Sequence, residues 1–121
     1  MVYDLRNDKA RLVQVKAFAW SNKCPLIGVS ANYDELDVVL RERVICPYVF
    51  VRLHEDLTNV EIYVLSPSQV RRLAREAYME WLSSKRHCKP VEELKRNKQP
   101  LCIPVNKLER YKDAWDNIWR D

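Results

Sequence analysis

The chain has 121 residues, enough for one domain that buries its own core without relying on metals or cross-links. Its 47% hydrophobic and 31% charged content suits a folded protein, and no apolar run reaches the ~20 residues of a membrane span. A formal charge of +4, from 21 basic and 17 acidic residues, tolerates a nucleic-acid partner without demanding one. The N-terminus lacks the charged start and apolar stretch of a secretion signal, which predicts a cytoplasmic protein.

In chain order, Val2 to Leu5 and Arg11 to Phe18 read as two short strands joined through Arg6-Asn7-Asp8-Lys9 as a hairpin. The second carries polar groups where a core strand normally has none. Because strand side chains alternate, Gln14 and Lys16 share one face while Val13, Val15 and Ala17 share the other. If the first strand pairs alongside, Asp4 adds a carboxylate to that polar face. An acid, an oxygen donor and an ammonium together form the kit of a metal-dependent hydrolytic site.

The stretch from Trp20 to Ser30, with Pro25 and the sole glycine, Gly28, reads as a loop. Asn32 to Arg43 has Leu36, Val39 and Leu40 at helical spacing. Tyr48 to Leu53 is almost continuously apolar, as in a strand covered on both faces. Polar residues from His54 to Asn59 lead to a second strong strand, Val60 to Leu65, and His54 and Glu55 read there as solvated. Ser66-Pro67-Ser68-Gln69 then supplies a cap, a first-turn proline and a capping-box glutamine. Behind it Val70, Leu73, Ala74, Ala77, Tyr78, Trp81 and Leu82 form a core-facing stripe, with Arg71, Arg72, Arg75 and Glu76 opposite.

Pro90 and Pro100 bracket one or two helical turns, and Leu101 to Ile103 is a brief extended piece. Asn106 and Glu109 have capping-box spacing for a last helix, whose Leu108, Tyr111, Trp115, Ile118 and Trp119 read as packing residues. Trp20 and Trp81 are also assigned to packing, with Trp20 placed to border a groove. Cys24, Cys46, Cys88 and Cys102 show no C-x2-C pairing, so free thiols are expected and structural zinc is not. His87 reads as a surface residue beside a basic run. The expected fold class is α/β (α+β), a single domain with a central mixed sheet flanked by helices in the order β-β-α-β-β-α-α.

Asp4, then Gln14-x-Lys16 on the next strand, then a helix, two strands and a helix, resembles the PD-(D/E)XK nuclease superfamily of restriction-endonuclease-like proteins. The tail Leu108-Glu-Arg-Tyr-Lys-Asp-Ala-Trp115-Asp is similar to the closing helix of several small members. The resemblance covers most of the chain and implies an endonuclease that hydrolyses phosphodiester bonds, most readily in DNA. It implies Asp4, Gln14 and Lys16 as catalytic residues. Asp4, the Gln14 side chain and the Val15 carbonyl are the implied ligands of Mg²⁺, with Mn²⁺ as substitute.

Lys16 is implied to position water or offset charge on phosphorus. The basic residues Arg71, Arg72, Arg75, Lys85 and Arg86 are the expected nucleic-acid contacts. Two departures are visible: Gln14 stands where many members have an acid, and no helix precedes the Asp4 strand, so a homodimer supplying it is expected. The alternatives are a nuclease-fold module that binds nucleic acid without cleaving it, and a protein-interaction or oligomerisation domain.

Overall fold

The computed structural model describes residues 1–4, 9–84 and 87–121. The central element is a mixed three-stranded sheet of β3 (Gln14–Ala19), β5 (Tyr48–Leu53) and β6 (Val60–Leu65), in the order β3-β5-β6. β3 lies parallel to β5, and the crossover between them contains β4 (Leu26–Ala31) and helix α1 (Leu36–Arg43). β5 and β6 form an antiparallel hairpin whose turn places Leu57 at φ 58° and lets Thr58 N–H donate to the Asp56 carboxylate. The fold is thus mixed α+β. Among the described residues no helix is long and apolar enough to cross a membrane.

Register decides which residues share a face. Gln14 lies beside Tyr48, Lys16 beside Phe50 and Phe18 beside Arg52, while Phe50 pairs with Tyr63. That face carries the main core, in which Phe18, Tyr48, Phe50, Tyr63 and Leu65 meet Ile27, Leu36, Leu40, Val70, Leu73 and Tyr78. Each fully buried large apolar side chain of this kind contributes ~1.5–3 kcal/mol. The other face carries only Val49, Val64 and Ile118, with Val2, Val13, Val51 and Ile62 packed around them.

Helix α2 (Pro67–Leu82) lies across the main core. Gln69 N–H donates to the Ser66 hydroxyl and Ser66 N–H donates to the Gln69 side chain, completing the expected capping box. Val70, Leu73, Ala74, Tyr78 and Leu82 are buried, as the stripe requires. The short helix α3 (Val91–Arg96) and strand β7 (Gln99–Cys102) follow where the two prolines bracket them.

Four expectations are corrected. The first hairpin is shorter than predicted: β1 (Val2–Asp4) pairs with β2 (Lys9–Arg11), and the chain then enters β3, whose partner is the distant β5. Residues 6–8 of the expected turn lie outside the described residues. The loop from Trp20 to Ser30 contains β4, which pairs with β7 across a register shift around Gly28.

Cys24 and Cys102 are not free thiols; they form a disulfide with a Cα–Cα distance of 5.6 Å, while Cys46 and Cys88 remain unpaired. Finally, the C-terminal segment is not one helix. Helix α4 (Val105–Leu108) follows Pro104, so Asn106 sits inside it rather than capping it. Two 3₁₀ turns come next, over Glu109–Tyr111 and Trp115–Trp119.

The edge of β6 wins this last contest. Lys112 bridges to Tyr63 and Asp113 N–H donates to the Ile62 carbonyl, with Asp113 at φ 54°. A continuous helix would forfeit those edge bonds, and aspartate tolerates the left-handed conformation. Leu108, Tyr111 and Ile118 are buried, but Trp115 and Trp119 stay substantially exposed, contrary to their packing assignment.

Candidate active site

Strand β3 is an edge strand of its sheet among the described residues. Gln14 N–H donates to the Pro47 carbonyl and Trp20 N–H to the Leu53 carbonyl, so the even-numbered residues turn their backbone groups toward β5. A residue's N–H and C=O point the same way in an extended strand, so those of Val15 point off the open side. The exposed Gln14 side chain and the Val15 carbonyl are therefore neighbouring oxygen donors on one accessible edge.

Lys16 lies on the core face, half-buried, and its ammonium rests over Gly28 of β4. A β-carbon at position 28 would sit 2.8 Å from Lys16 Nζ and 3.3 Å from Cε. Gly28 also adopts φ +87°, so the only glycine serves both a turn of the backbone and the lysine lying on it. This cradle depends on β4, an element the loop reading overlooked.

Asp4 is half-buried and lies opposite Lys9 in the β1–β2 hairpin. Its strand neighbour Val2 packs in the smaller cluster, on the sheet face away from Gln14 and Lys16. Leu12 and Val13 join that hairpin to β3. The structure thus gathers Gln14, Val15 and Lys16, and holds Asp4 on the adjoining hairpin without a backbone ladder between β1 and β3. Among the described residues no group of three or more His, Cys, Asp or Glu is placed to hold a metal.

The expected basic contacts have internal partners. Arg71 Nη1 donates to the Val44 carbonyl at 2.7 Å, tying α2 to the end of α1. Arg72 Nη2 donates to the Tyr111 hydroxyl at 2.7 Å, and Arg75 pairs with Asp37 at 2.8 Å. Lys85 and Arg86 lie outside the described residues.

Sequence reasoning missed a cluster at the other end of β3. Arg52, only 4% exposed, lays its guanidinium 3.5 Å from the centre of the Trp20 ring and donates from Nη2 to the Trp20 carbonyl at 3.0 Å. His54 stacks on the same indole at 3.9 Å with 27° between planes. His54 is thus a packing partner of Trp20 rather than a merely solvated turn residue. The available signal was a lone arginine in an otherwise apolar strand: a buried charge must be matched somewhere.

The match comes from Glu61 and Tyr63. Tyr63 donates its hydroxyl to Glu61, holding that carboxyl below the usual carboxylate range, with Lys112 and Arg52 adding to the effect. Burial, together with this donation, pushes the Tyr63 phenol up to about 12. At the opposite end Tyr48 donates to the Ile27 carbonyl at 2.7 Å, and burial raises it likewise to about 12. Comparison with protein-family models, with curated proteins and with solved structures finds no match to this chain.

Proposed function

We propose that the chain is a cation-dependent phosphodiesterase of nucleic acid, an endonuclease of restriction-endonuclease-like architecture acting on DNA. The observation that carries this reading is the composition of the β3 edge. Three consecutive residues present an exposed amide side chain, an outward carbonyl and a half-buried ammonium resting over Gly28.

The Gln14 side chain and the Val15 carbonyl are oxygen donors of the kind the hard ion Mg²⁺ or its substitute Mn²⁺ takes, and Asp4 would complete the set only by reaching round the β3 edge from the adjoining hairpin. Bound there, such an ion supplies charge neutralisation and a more acidic water. With a single carboxylate in the set, binding is weak, and millimolar cation is required. Lys16 offsets negative charge developing on the phosphoryl oxygens, and its Gly28 cradle fixes the ammonium before substrate arrives, so little reorganisation is needed at the moment of reaction. Arg75, with Arg71 and Arg72 on the same helix α2, is a proposed phosphate contact, and so are Lys85 and Arg86, which lie outside the described residues.

A second reading, a nuclease-fold module that binds DNA without cutting it, is favoured by one feature. Asp4 shares no ladder with β3, so the carboxylate and the lysine are not fixed to each other by backbone pairing.

One experiment separates these readings: plasmid cleavage with Mg²⁺ or Mn²⁺, and DNA affinity across a salt series, for the natural chain and for Lys16→Ala. Lys16→Ala is expected to lower cleavage by about a hundredfold or more while affinity changes little. Undiminished cleavage would reject Lys16 as catalytic. Salt-sensitive binding with no cleavage by the natural chain selects the binding module, and absence of both leaves an interaction domain.

A further inference from the structure

A cavity of about 530 Å³ opens beside Trp20, walled by Trp20, Lys23, Arg52, Pro104, Val105, Asn106 and Glu109. We infer that this cavity is a nucleotide site, taking a base that carries an exocyclic amine together with its phosphate. It is an open groove rather than an enclosed pocket, with room for a nucleotide laid against its wall. The location is apt as well: Trp20 follows β3, and Arg52 and His54 close β5. The cavity therefore lies at the carboxyl ends of two parallel strands, where open α/β sheets receive ligands.

The walls are fixed before any ligand arrives. Val105 N–H donates to the Lys23 carbonyl at 2.9 Å, and Ile103 N–H donates to the Pro25 carbonyl at 3.1 Å. Between these two bonds the Cys24–Cys102 disulfide clamps the same pair of segments. A site on pinned backbone does not lose affinity to ordering itself.

Three kinds of chemistry meet there. Trp20, Pro104 and Val105 give an apolar wall. Lys23 is exposed, with its ammonium 6.0 Å from the Trp20 ring, and forms no ion pair among the described residues, so it can receive a phosphate. Asn106 and Glu109 are exposed and, among the described residues, spend their side chains on no hydrogen bond or ion pair, which leaves an amide and a carboxylate for a base edge.

Arg52 adds a buried guanidinium whose Nε–H finds no acceptor among the described residues. Such a donor calls for a partner, and a water or a ligand atom on this wall would supply one. Glu109 argues against a simple inorganic anion, because it repels one. It accepts instead from an amine, as carboxylates do from cytosine N4, whereas uracil and thymine put carbonyls on that edge.

Lys16 lies about 13 Å away along β3, at ~3.3 Å per residue, so this pocket is separate from the proposed catalytic edge and the inference stands whether or not Lys16 does chemistry. The test is calorimetric titration of the full chain with CMP, AMP, UMP, cytidine and a short 5′-phosphorylated oligodeoxycytidine. CMP and AMP should bind. Cytidine, which lacks the phosphate, should bind about tenfold more weakly or worse, and so should CMP to Lys23→Glu.

Glu109→Gln should erase the preference for CMP over UMP. Arg41→Glu, a charge change on exposed α1, should leave CMP affinity as it was. Tighter binding of the oligonucleotide than of CMP identifies the ligand as the end of a strand, and equal binding identifies a free mononucleotide; either upholds the site. The inference is overturned if no nucleotide binds at millimolar concentration, or if Lys23→Glu and Glu109→Gln, folded by circular dichroism, bind CMP like the natural chain.

Discussion

At the Gln14–Lys16 end of β3 the polar groups stand on an edge strand, with the Lys16 ammonium lying over Gly28, whereas at the Trp20 end they are locked into stacking and hydrogen bonds. Gln14 is solvent-facing and the half-buried Lys16 rests its ammonium over Gly28. Trp20 instead touches Arg52 and His54, and Arg52 is tied through Tyr63 and Glu61 to the next strand. One strand thus offers a chemically open end and a structurally invested end. Groups that must meet a changing substrate gain from the first, and groups that must hold a fixed shape gain from the second.

The largest test of this contrast is covalent. The Cys24–Cys102 disulfide spans 78 residues, and closing a loop of that size is worth about 4 kcal/mol in the chain-entropy model. Cys24→Ser should lower the urea-unfolding free energy by roughly 2–4 kcal/mol. It should also weaken ligand affinity at the Trp20 cavity more than it weakens cleavage at Lys16. Equal losses at both ends would dissolve the distinction.

A second effect, smaller for each group taken singly, comes from alkali. Tyr48, at the open end, and Tyr63, at the locked end, are both buried with phenols raised to about 12. In the unfolded chain they ionise near 10, so their contribution is fully present below that value and is lost as pH rises toward 12. Each accounts for about 2–3 kcal/mol across that window. Denaturant unfolding repeated from pH 8 to pH 12 should therefore show falling stability above about pH 10. Glu61→Gln should reduce this loss through Tyr63 and leave the Tyr48 share intact; 295 nm titration resolves the two.

Smallest in energy, Gly28→Ala forces a β-carbon into a positive-φ position and against the Lys16 ammonium. A cost of about 1–2 kcal/mol in stability is expected. The sharper readout is the Lys16 side chain itself. Its NMR shifts should move while those of the Trp20 indole do not.

How much of this was legible in the sequence follows from range. The parity that puts Gln14 and Lys16 on one face needs only the two-residue period of a strand, and the register bears it out. Ser66 and Gln69 cap α2 within four residues, and β5 and β6 are short apolar runs, so local rules sufficed there too. β4 escaped because Gly28 and Ser30 interrupt its apolar pattern and its partner β7 lies some seventy residues on. The pairing of β3 was misassigned because a hairpin is the nearer solution, while a parallel partner requires a crossover.

Cysteine spacing carries no connectivity, so the disulfide was invisible. Glu109 and Asn106 were read as one capping box; Pro104 moved the helix start ahead of them, and both side chains were left to face the cavity. Of the candidate site, Gln14, Val15 and Lys16 could be read directly. The Gly28 cradle and the Arg52–Trp20–His54 stack exist only once distant strands have met.

The disulfide has one more consequence, for the continuity of the chain rather than for its energy. Residues 24 to 102 form a covalent ring that threads through α1, β5, β6, α2 and α3. A protease that nicks the exposed β5–β6 turn opens the ring but releases no fragment, because both pieces remain joined at Cys24 and Cys102. Both central strands, and the two ends of β3 with them, stay on one molecule after such a cut.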